Sequence, residues 1–266
     1  MNRIIIGAAT DPGLEHNENQ DSYAFYSLEK GSAPKKGILM VLADGMGGHS
    51  GGAIAAKITV DVLMQTYYED NTASITESLK KSFLKANQKV IERGKDDLKL
   101  QGLGSTLVSV VFKGDQMYFA NVGDSRGYSI YANEISQFTE DHSYVASLVK
   151  AGAISAEEAL THPEGNIITR AIGFEEDLSV DTSQESIKIK KDQYILLCCD
   201  GLYRVVSDQE ILATVNEYKD PDIISKKLIE MANANGGPDN ITVLIARIES
   251  VDSTSNWLNK FMGLLR

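Results

Sequence analysis

Four aspartates stand where strongly apolar segments of the sequence begin or end. Asp44 and Asp200 directly follow such segments, Asp124 comes two residues after a third, and Asp239 precedes a fourth by two residues. A carboxylate at the mouth of a buried strand is unfavourable unless it is paired or binds a metal, and neighbouring carboxylates repel one another unless a cation lies between them. Oxygen ligands select hard ions such as Mg²⁺ and Mn²⁺. These aspartates therefore predict a site for hard divalent cations.

A simple turn is the alternative explanation for each position, because Asp-Gly is a common turn dipeptide. Asp44-Gly45 and Asp200-Gly201 both fit that description. Four acidic positions at the ends of four apolar segments favour the shared site over four unrelated turns. Glycine also suits a metal site, because without a side chain its carbonyl or a bound water can approach the ion.

The elements that would position these aspartates are short strands and a few helices. The predicted strands are Ile4–Ala9, Ser22–Ser27, Gly37–Ala43, Ser105–Phe112, Gln116–Val122, Arg126–Tyr131, Glu185–Ile189, Gln193–Cys199 and Ile241–Ile248. The predicted helices are Gly51–Tyr68, Ile75–Arg93, Asp208–Asn216 and Pro221–Asn233, the last two each preceded by a capping Ser or Asp. The strands between residues 105 and 131 follow one another as an antiparallel meander, which predicts antiparallel sheets with helices packed outside. The stretch Asp141–Gly173 is helical but irregular, and we expect a lid or subdomain there.

The composition is that of a globular protein and narrows the range of partners. The chain has 266 residues, 42% hydrophobic and 24% charged, with a formal net charge of −11. These values exclude a disordered or fibrous chain, and the negative charge argues against binding nucleic acid or anionic lipid. No segment approaches the roughly 20 apolar residues that span a bilayer, and the apolar N-terminal run is too short for a signal peptide. We therefore expect a cytoplasmic protein whose neighbouring cysteines, Cys198 and Cys199, are buried thiols.

Eight short motifs follow one another over residues 1–248. They are Asn19-Gln20-Asp21-Ser22, Asp44-Gly45-Met46-Gly47-Gly48-His49, Gly104-Ser105-Thr106, Asn121-Val122-Gly123-Asp124-Ser125-Arg126, Asp141-His142-Ser143, Thr169-Arg170-Ala171-Ile172-Gly173, Cys199-Asp200-Gly201-Leu202 and Gly237-Pro238-Asp239-Asn240. With them the sequence resembles the metal-dependent serine/threonine protein phosphatases of the PPM, or type 2C, family in its bacterial form. The resemblance implies an α+β fold, a four-layer α-β-β-α sandwich of two antiparallel sheets flanked by helix pairs. It also implies that the segment at about residues 141–173 is the flap of that family.

The resemblance assigns the acidic residues to a centre of two Mn²⁺ or Mg²⁺ ions. Asp44 would bridge both ions, and the Gly45 carbonyl would bind one of them. Asp200 and Asp239 would hold the other ion. Asp124, together with Asp200, would help a third and weaker ion to bind. The ions would activate a water for attack on phosphoserine or phosphothreonine and would neutralise the phosphoryl oxygens.

Two further residues, Asp21 and His16, complete the expected catalytic group. Asp21 would lie behind the ions and hydrogen-bond their waters. His16 stands where the family usually has an arginine that grips phosphate, and an imidazole lacks the bidentate fork and permanent charge of arginine. We expect His16 to contact phosphate when protonated, with a solvated loop histidine as the alternative. Met46 stands where relatives outside bacteria carry a histidine thought to protonate the leaving group, so the general acid stays unassigned.

The predicted function is hydrolysis of phosphoserine and phosphothreonine in proteins by a monomeric enzyme that reverses the action of a Ser/Thr kinase. The phosphatase domain would span residues 1–248, and residues 249–266 would form a tail with an amphipathic end. One alternative is an adaptor of the same fold that binds phosphoproteins with weak turnover. A second is a serine hydrolase, because Ser50 is the serine of a G-x-S-x-G pattern. Ser50 lies several residues beyond the end of the preceding strand, however, and the meander disagrees with the sheet of an α/β-hydrolase.

Overall fold

The computed structural model of the chain describes residues 3–26, 34–47, 51–97 and 100–251. Ser50, His49 and residues 252–266 of the predicted tail lie outside the described residues. In the described part, two antiparallel sheets lie face to face and helices cover their outer faces. None of the described helices combines the length and hydropathy needed to cross a membrane.

The described strands form two larger sheets and one small one. The first sheet has the order β1 (Arg3–Asp11), β13 (Ile241–Ser250), β12 (Tyr194–Cys198), β8 (Arg126–Tyr131) and β9 (Glu134–Gln137). The second has the order β10 (Asp181–Thr182), β7 (Gln116–Val122), β6 (Leu107–Lys113), β3 (Ile38–Ala43) and β2 (Ser22–Phe25), and β11 (Ile187–Lys188) also pairs with β7. The short strands β4 (Gly45–Met46) and β5 (Gly104–Ser105) pair with each other. All of these pairings are antiparallel.

The helices divide between the two outer faces and the flap segment. They are α1 (Gly51–Glu69), α2 (Ile75–Asp96), α3 (Tyr144–Lys150), α4 (Ala156–Leu160), α5 (Asp200–Tyr203), α6 (Asp208–Tyr218) and α7 (Pro221–Ala234). The helices α1 and α2 pack on the second sheet, whereas α6 and α7 pack on the first. The helices α3 and α4 belong to the flap segment, where they pack against each other.

The two faces of a strand contribute side chains to different layers of the core. On β3, Met40 and Leu42 join Ile195 of β12 in the cluster between the two sheets. Leu39 and Val41 of the same strand join the cluster under α1 and α2 instead. Because β3 is buried on both faces, its sequence is a continuous apolar run rather than an alternating one. The predicted four-layer α-β-β-α sandwich is confirmed.

Capping side chains determine where α6 and α7 begin. Ser207 accepts a hydrogen bond from the backbone N–H of Glu210, and the Glu210 carboxylate accepts one from the backbone N–H of Ser207, which is a capping box. Asp220 caps α7, and Pro221 occupies the first turn, where its missing N–H costs nothing. The Ser and Asp that the sequence indicated as caps therefore have that role.

Several predicted elements differ from the structure at their ends. The predicted strand Ser105–Phe112 is interrupted at Thr106. There the Thr106 N–H donates a hydrogen bond to the Asp44 carbonyl, and the Thr106 hydroxyl accepts one from the Asp44 N–H. The predicted strand Glu185–Ile189 shortens to the two residues of β11. The strands β9 and β10 and the helix α5 were missed, since two to four residues are too few to show a periodic pattern.

Candidate metal centre

The directions of the strands bring the aspartates to one edge of the sandwich. Because β3 and β7 are both antiparallel to β6, they run in the same direction, and Asp44 and Asp124 follow their ends. Because β12 and β13 are antiparallel neighbours, Asp200 after β12 lies beside Asp239 before β13. One cavity of about 370 Å³ is lined by Asp44, Gly45, Asp124, Asp200, Asp239 and His16, together with Gln20, Met46, Gly47, Asn166, Ile168 and Asn240.

Two glycines allow backbone segments to approach closely at this cavity. A Cβ on Gly45 would lie 2.1 Å from the carbonyl oxygen of Gly52, and a Cβ on Gly201 would lie 2.1 Å from that of Asn240. Neither position has room for a side chain. Both Asp-Gly pairs therefore require glycine for packing, beyond any role in a turn.

Two hydrogen bonds from the Asn240 side chain anchor the loop that carries His16. Nδ2 of Asn240 donates hydrogen bonds to the carbonyl oxygens of Pro12 at 2.9 Å and Glu18 at 3.0 Å. The Nε2 of His16 lies 3.5 Å from Oδ1 of Asp239, and the His16 side chain is 51% exposed. The imidazole is therefore at the mouth of the cavity, beside one of the predicted metal ligands.

Asp21 lies near the aspartates of the cavity without being part of its lining. Its Oδ2 accepts a hydrogen bond of 2.5 Å from the Thr242 hydroxyl, while its Oδ1 is buried and finds no hydrogen-bond partner among the described residues. The ligand atoms of Asp21, Asp44 and Cys199 lie within 4.8 Å of one another. The Cys199 thiol already accepts from the Thr242 N–H and donates to the Asn240 carbonyl, so it fixes the backbone here.

Burial and mutual repulsion raise the pKa of these carboxyl groups. Burial, followed by repulsion from Asp200 and Asp239, raises the pKa of Asp21 to about 7 against the hydrogen bonds that lower it. Burial, followed by repulsion from Asp200, raises the pKa of Asp124 to about 7. The same causes raise the pKa of Asp44 well above its usual range. In the absence of a cation, burial and mutual repulsion therefore favour the protonated forms of Asp21, Asp44 and Asp124.

The cluster has the properties of a cation site. Asp21 Oδ1 and Asp200 Oδ1 are buried oxygens for which the described chain offers no hydrogen-bond partner, and leaving such a group unpaired costs roughly 1–3 kcal/mol. A divalent cation would supply the missing partner and would favour the ionised form of each carboxyl group. The donor set consists of carboxylate and carbonyl oxygens, which Mg²⁺ and Mn²⁺ prefer.

The sequence analysis missed Arg204, which reaches this cluster from the end of α5. Its Nε lies 2.8 Å from Oδ2 of Asp200, and its Nη2 donates a 2.7 Å hydrogen bond to the Gly165 carbonyl in the flap segment. The preceding residue, Tyr203, places its hydroxyl 3.4 Å from Oδ2 of Asp124. The spacing of four residues between an acid and a base is the signal that indicates the Asp200–Arg204 pair in the sequence.

The flap segment also brings Asn166 and Ile168 to the cavity. Its beginning is fixed by Arg126, whose Nε and Nη2 donate to Asp141 at 2.9 and 2.7 Å. The Arg126 guanidinium lies 3.6 Å from the centre of the Tyr203 ring, which adds a cation–π contact. The sequence analysis missed Asn166 and Ile168, because an amide and an aliphatic side chain in an irregular segment carry no recognisable pattern.

The buried His142 connects the flap segment to the turn that carries Asp124. Its Nδ1 accepts a hydrogen bond from the Gly123 N–H at 3.0 Å, and its Nε2 lies 3.2 Å from Oδ2 of Asp181. Arg170 donates to the other oxygen of Asp181 at 2.6 Å. His142 and Arg170 therefore brace the structure beside the cavity.

Comparisons with known proteins agree with this arrangement. The sequence profile of the family Protein phosphatase 2C matches residues 15–244. The serine/threonine phosphatase stp of Listeria welshimeri is 35% identical over 240 residues, which are 89% of this chain and 92% of that protein. The structure of the S. agalactiae serine/threonine phosphatase is similar with a TM-score of 0.84 at 35% identity, over 93% of this chain and 100% of that one. The catalytic domain of the phosphatase PstP, in complex with two manganese ions, has a TM-score of 0.79 at 31% identity, over 95% of this chain and 100% of that one. The chain therefore belongs to the protein phosphatase 2C family, as its motifs predicted.

Proposed function

We propose that this protein phosphatase removes phosphate from serine and threonine side chains of proteins with the help of two Mn²⁺ or Mg²⁺ ions. The observation that carries the proposal is the convergence of four aspartates, Asp44, Asp124, Asp200 and Asp239, on one cavity, with unpartnered buried oxygens on Asp200 and on the neighbouring Asp21. Relatives that match most of the chain are named serine/threonine phosphatases, and one similar structure holds two manganese ions. Both lines of support point to the same chemistry.

The residues that would hold the ions come from both sheets. Asp44 and the Gly45 carbonyl follow β3 of the second sheet, whereas Asp200 and Asp239 flank β12 and β13 of the first. When bound, the ions supply an activated water and positive charge for the phosphoryl oxygens. Because the two sheets share a buried layer of side chains, the carboxylates would be held in place before substrate arrives.

Asp21 would orient a water of the metal centre from behind the residues that line the cavity. The Thr242 hydroxyl holds Oδ2 of Asp21 at 2.5 Å, so the orientation of the carboxylate is fixed. Its Oδ1 is then the atom that can accept a hydrogen bond from a water molecule. A fixed acceptor of this kind selects one orientation of the attacking water.

His16 would receive the phosphate at the mouth of the cavity. Its exposed side chain beside Asp239 leaves the ring accessible to substrate. A protonated imidazole donates one charge-assisted hydrogen bond to a phosphoryl oxygen, whereas an arginine donates two in parallel. We therefore propose that His16 grips phosphate more weakly than arginine would.

The partners follow from this chemistry. We propose that phosphorylated proteins are the substrates, that a Ser/Thr kinase produces them, and that the phosphatase domain occupies residues 1–248. An adaptor of the same fold would bind phosphopeptides but would not turn them over.

Hydrolysis of a phosphothreonine peptide by chelator-treated protein tests the proposal. We expect release of phosphate after addition of Mn²⁺ or Mg²⁺ and none without them, and loss of release in Asp44→Asn. Asp61→Asn is the matched control, because Asp61 is an exposed acid on α1 that pairs only with Lys57 in the described structure. Binding of the peptide without hydrolysis would support the adaptor instead. Labelling of Ser50 by a fluorophosphonate, with activity that survives chelation, would support a serine hydrolase.

A further inference from the structure

The two carboxylate oxygens of Asp200 have different surroundings. Oδ1 is buried and has no hydrogen-bond partner in the described structure, while Oδ2 lies 2.8 Å from Nε of Arg204. The side chains of Asp200 and Arg204 are only 12% and 19% exposed, so water and salt screen this ion pair little. One oxygen therefore lacks a hydrogen-bond partner, and the other already has a cationic neighbour.

The neighbour of Arg204 contacts Asp124. Asp124 is buried, and its Oδ2 faces the hydroxyl of Tyr203, the residue that precedes Arg204. Arg204 therefore places its charge beside Asp200, and its neighbour Tyr203 contacts Asp124; these are the two carboxylates to which the family resemblance would assign a third ion.

The far end of Arg204 connects this pair to the flap segment. Nη2 donates to the Gly165 carbonyl at 2.7 Å, and a Cβ on Gly165 would lie 2.9 Å from Nη1. Arg204 also lines a cavity of about 560 Å³ between the flap helices and the first sheet. Nε of Arg204 makes no hydrogen bond in the described structure, so its contact with Asp200 is one of charge, whereas Nη2 makes the hydrogen bond to the flap segment; a planar guanidinium combines the two in a fixed geometry that an ammonium group does not have.

We propose that Arg204 takes the place of a third metal ion at the Asp124–Asp200 side of the centre and ties the flap segment to it. This proposal rests on the proposed function, because it requires that Oδ1 of Asp200 binds one of two resident ions. A third divalent cation would have to approach Oδ2 of Asp200 against the permanent charge of Arg204, which lies 2.8 Å from that atom. The chain then binds two ions and not the third that the resemblance allows.

The number of bound ions tests the first half of the proposal. Chelator-treated protein is titrated with Mn²⁺, and free Mn²⁺ is counted by electron paramagnetic resonance. We expect two sites in the wild type and in Arg204→Lys, which keeps the charge, and a third, weaker site in Arg204→Met. The control is Arg247→Met, which removes an arginine that pairs with Asp192 and should bind two ions.

Hydrogen exchange of the metal-free protein tests the second half. Both Arg204→Met and Arg204→Lys should exchange the amides of residues 156–168 about tenfold faster than the wild type, which corresponds to the loss of roughly 1.4 kcal/mol. Exchange in Arg247→Met should match the wild type in this segment.

Three outcomes would overturn the proposal. A wild type that binds three Mn²⁺ ions and still hydrolyses phosphopeptide would refute the role of Arg204 and leave the proposed function intact. A wild type that binds no Mn²⁺ would refute both. If Arg204→Met binds two Mn²⁺ ions and the amides of its flap segment exchange as slowly as in the wild type, Arg204 has neither role. If Arg204→Met does not fold, the ion count of the wild type and the exchange of Arg204→Lys still decide.

Discussion

The metal-free protein should lose stability as the pH rises from about 4 to about 7, and Asp21→Asn should remove part of that loss. Burial raises the pKa of Asp21 from its ordinary value of 3.8 to about 7 in the folded state. Between these two values the folded chain holds a proton that the unfolded chain has released, so the free energy of unfolding falls as the pH rises. Below the lower value both states are protonated and Asp21 has no effect.

The size of the effect follows from the pKa change. A rise of about 3 pH units, at about 1.4 kcal/mol each, means that ionised Asp21 costs the metal-free fold about 4 kcal/mol at pH 8. Asparagine has the same shape without the charge, so Asp21→Asn should avoid this cost. At roughly 2 °C per kcal/mol for a chain of this size, the variant should melt roughly 8 °C above the wild type.

Thermal unfolding followed by circular dichroism between pH 4 and pH 8.5 measures this difference. Chelator-treated wild type and Asp21→Asn should melt together at the acidic end, separate progressively between about pH 4 and pH 7, and keep a constant difference above that. With saturating Mn²⁺ the order should reverse, because bound cations favour the ionised carboxylate that the variant lacks. Asp61→Asn, the exposed control, should stay within about 1 °C of the wild type throughout.

A variant that melts at or below the wild type at pH 8 without metal would refute the reasoning. A stabilisation of equal size at every pH would refute it as well, because that result would come from packing and not from charge.

Other substitutions test separate parts of the structure. Asp239→Asn should abolish at least one of the Mn²⁺ sites and lower phosphopeptide hydrolysis by more than about a hundredfold; a wild-type rate would contradict its assignment as a ligand. His16→Arg should lower the KM for a phosphopeptide by about tenfold, because a bidentate fork replaces a single donor; an unchanged KM would make His16 a bystander. Lys36→Met should lower the free energy of unfolding in urea by about 2 kcal/mol. The reason is that Lys36 Nζ donates hydrogen bonds to the Asp70 carbonyl and the Ser78 hydroxyl at 2.6 Å each. A change below about 0.5 kcal/mol would show that solvent replaces these bonds.

The sequence by itself indicated which acids meet at the cavity, because the reason is local. An aspartate at the end of an apolar strand, such as Asp44 or Asp200, is costly in any fold unless something pairs with it. The alternating and helical periodicities likewise depend on neighbours a few residues apart, so most of the elements could be predicted, whereas the four-layer sandwich followed from the resemblance of the motifs to a known family. The interruption at Thr106 could not be predicted, because the partner that turns the chain there is the backbone of Asp44.

Only the tertiary structure decided how these acids are supported. It keeps Asp21 out of the cavity lining, and it joins Arg204 to the Gly165 carbonyl of the flap segment. The contacts responsible join residues that are distant along the chain, such as Asn240 with Pro12, 228 positions away. Contacts of this kind depend on strand order and on how the sheets pack, and a local pattern contains neither.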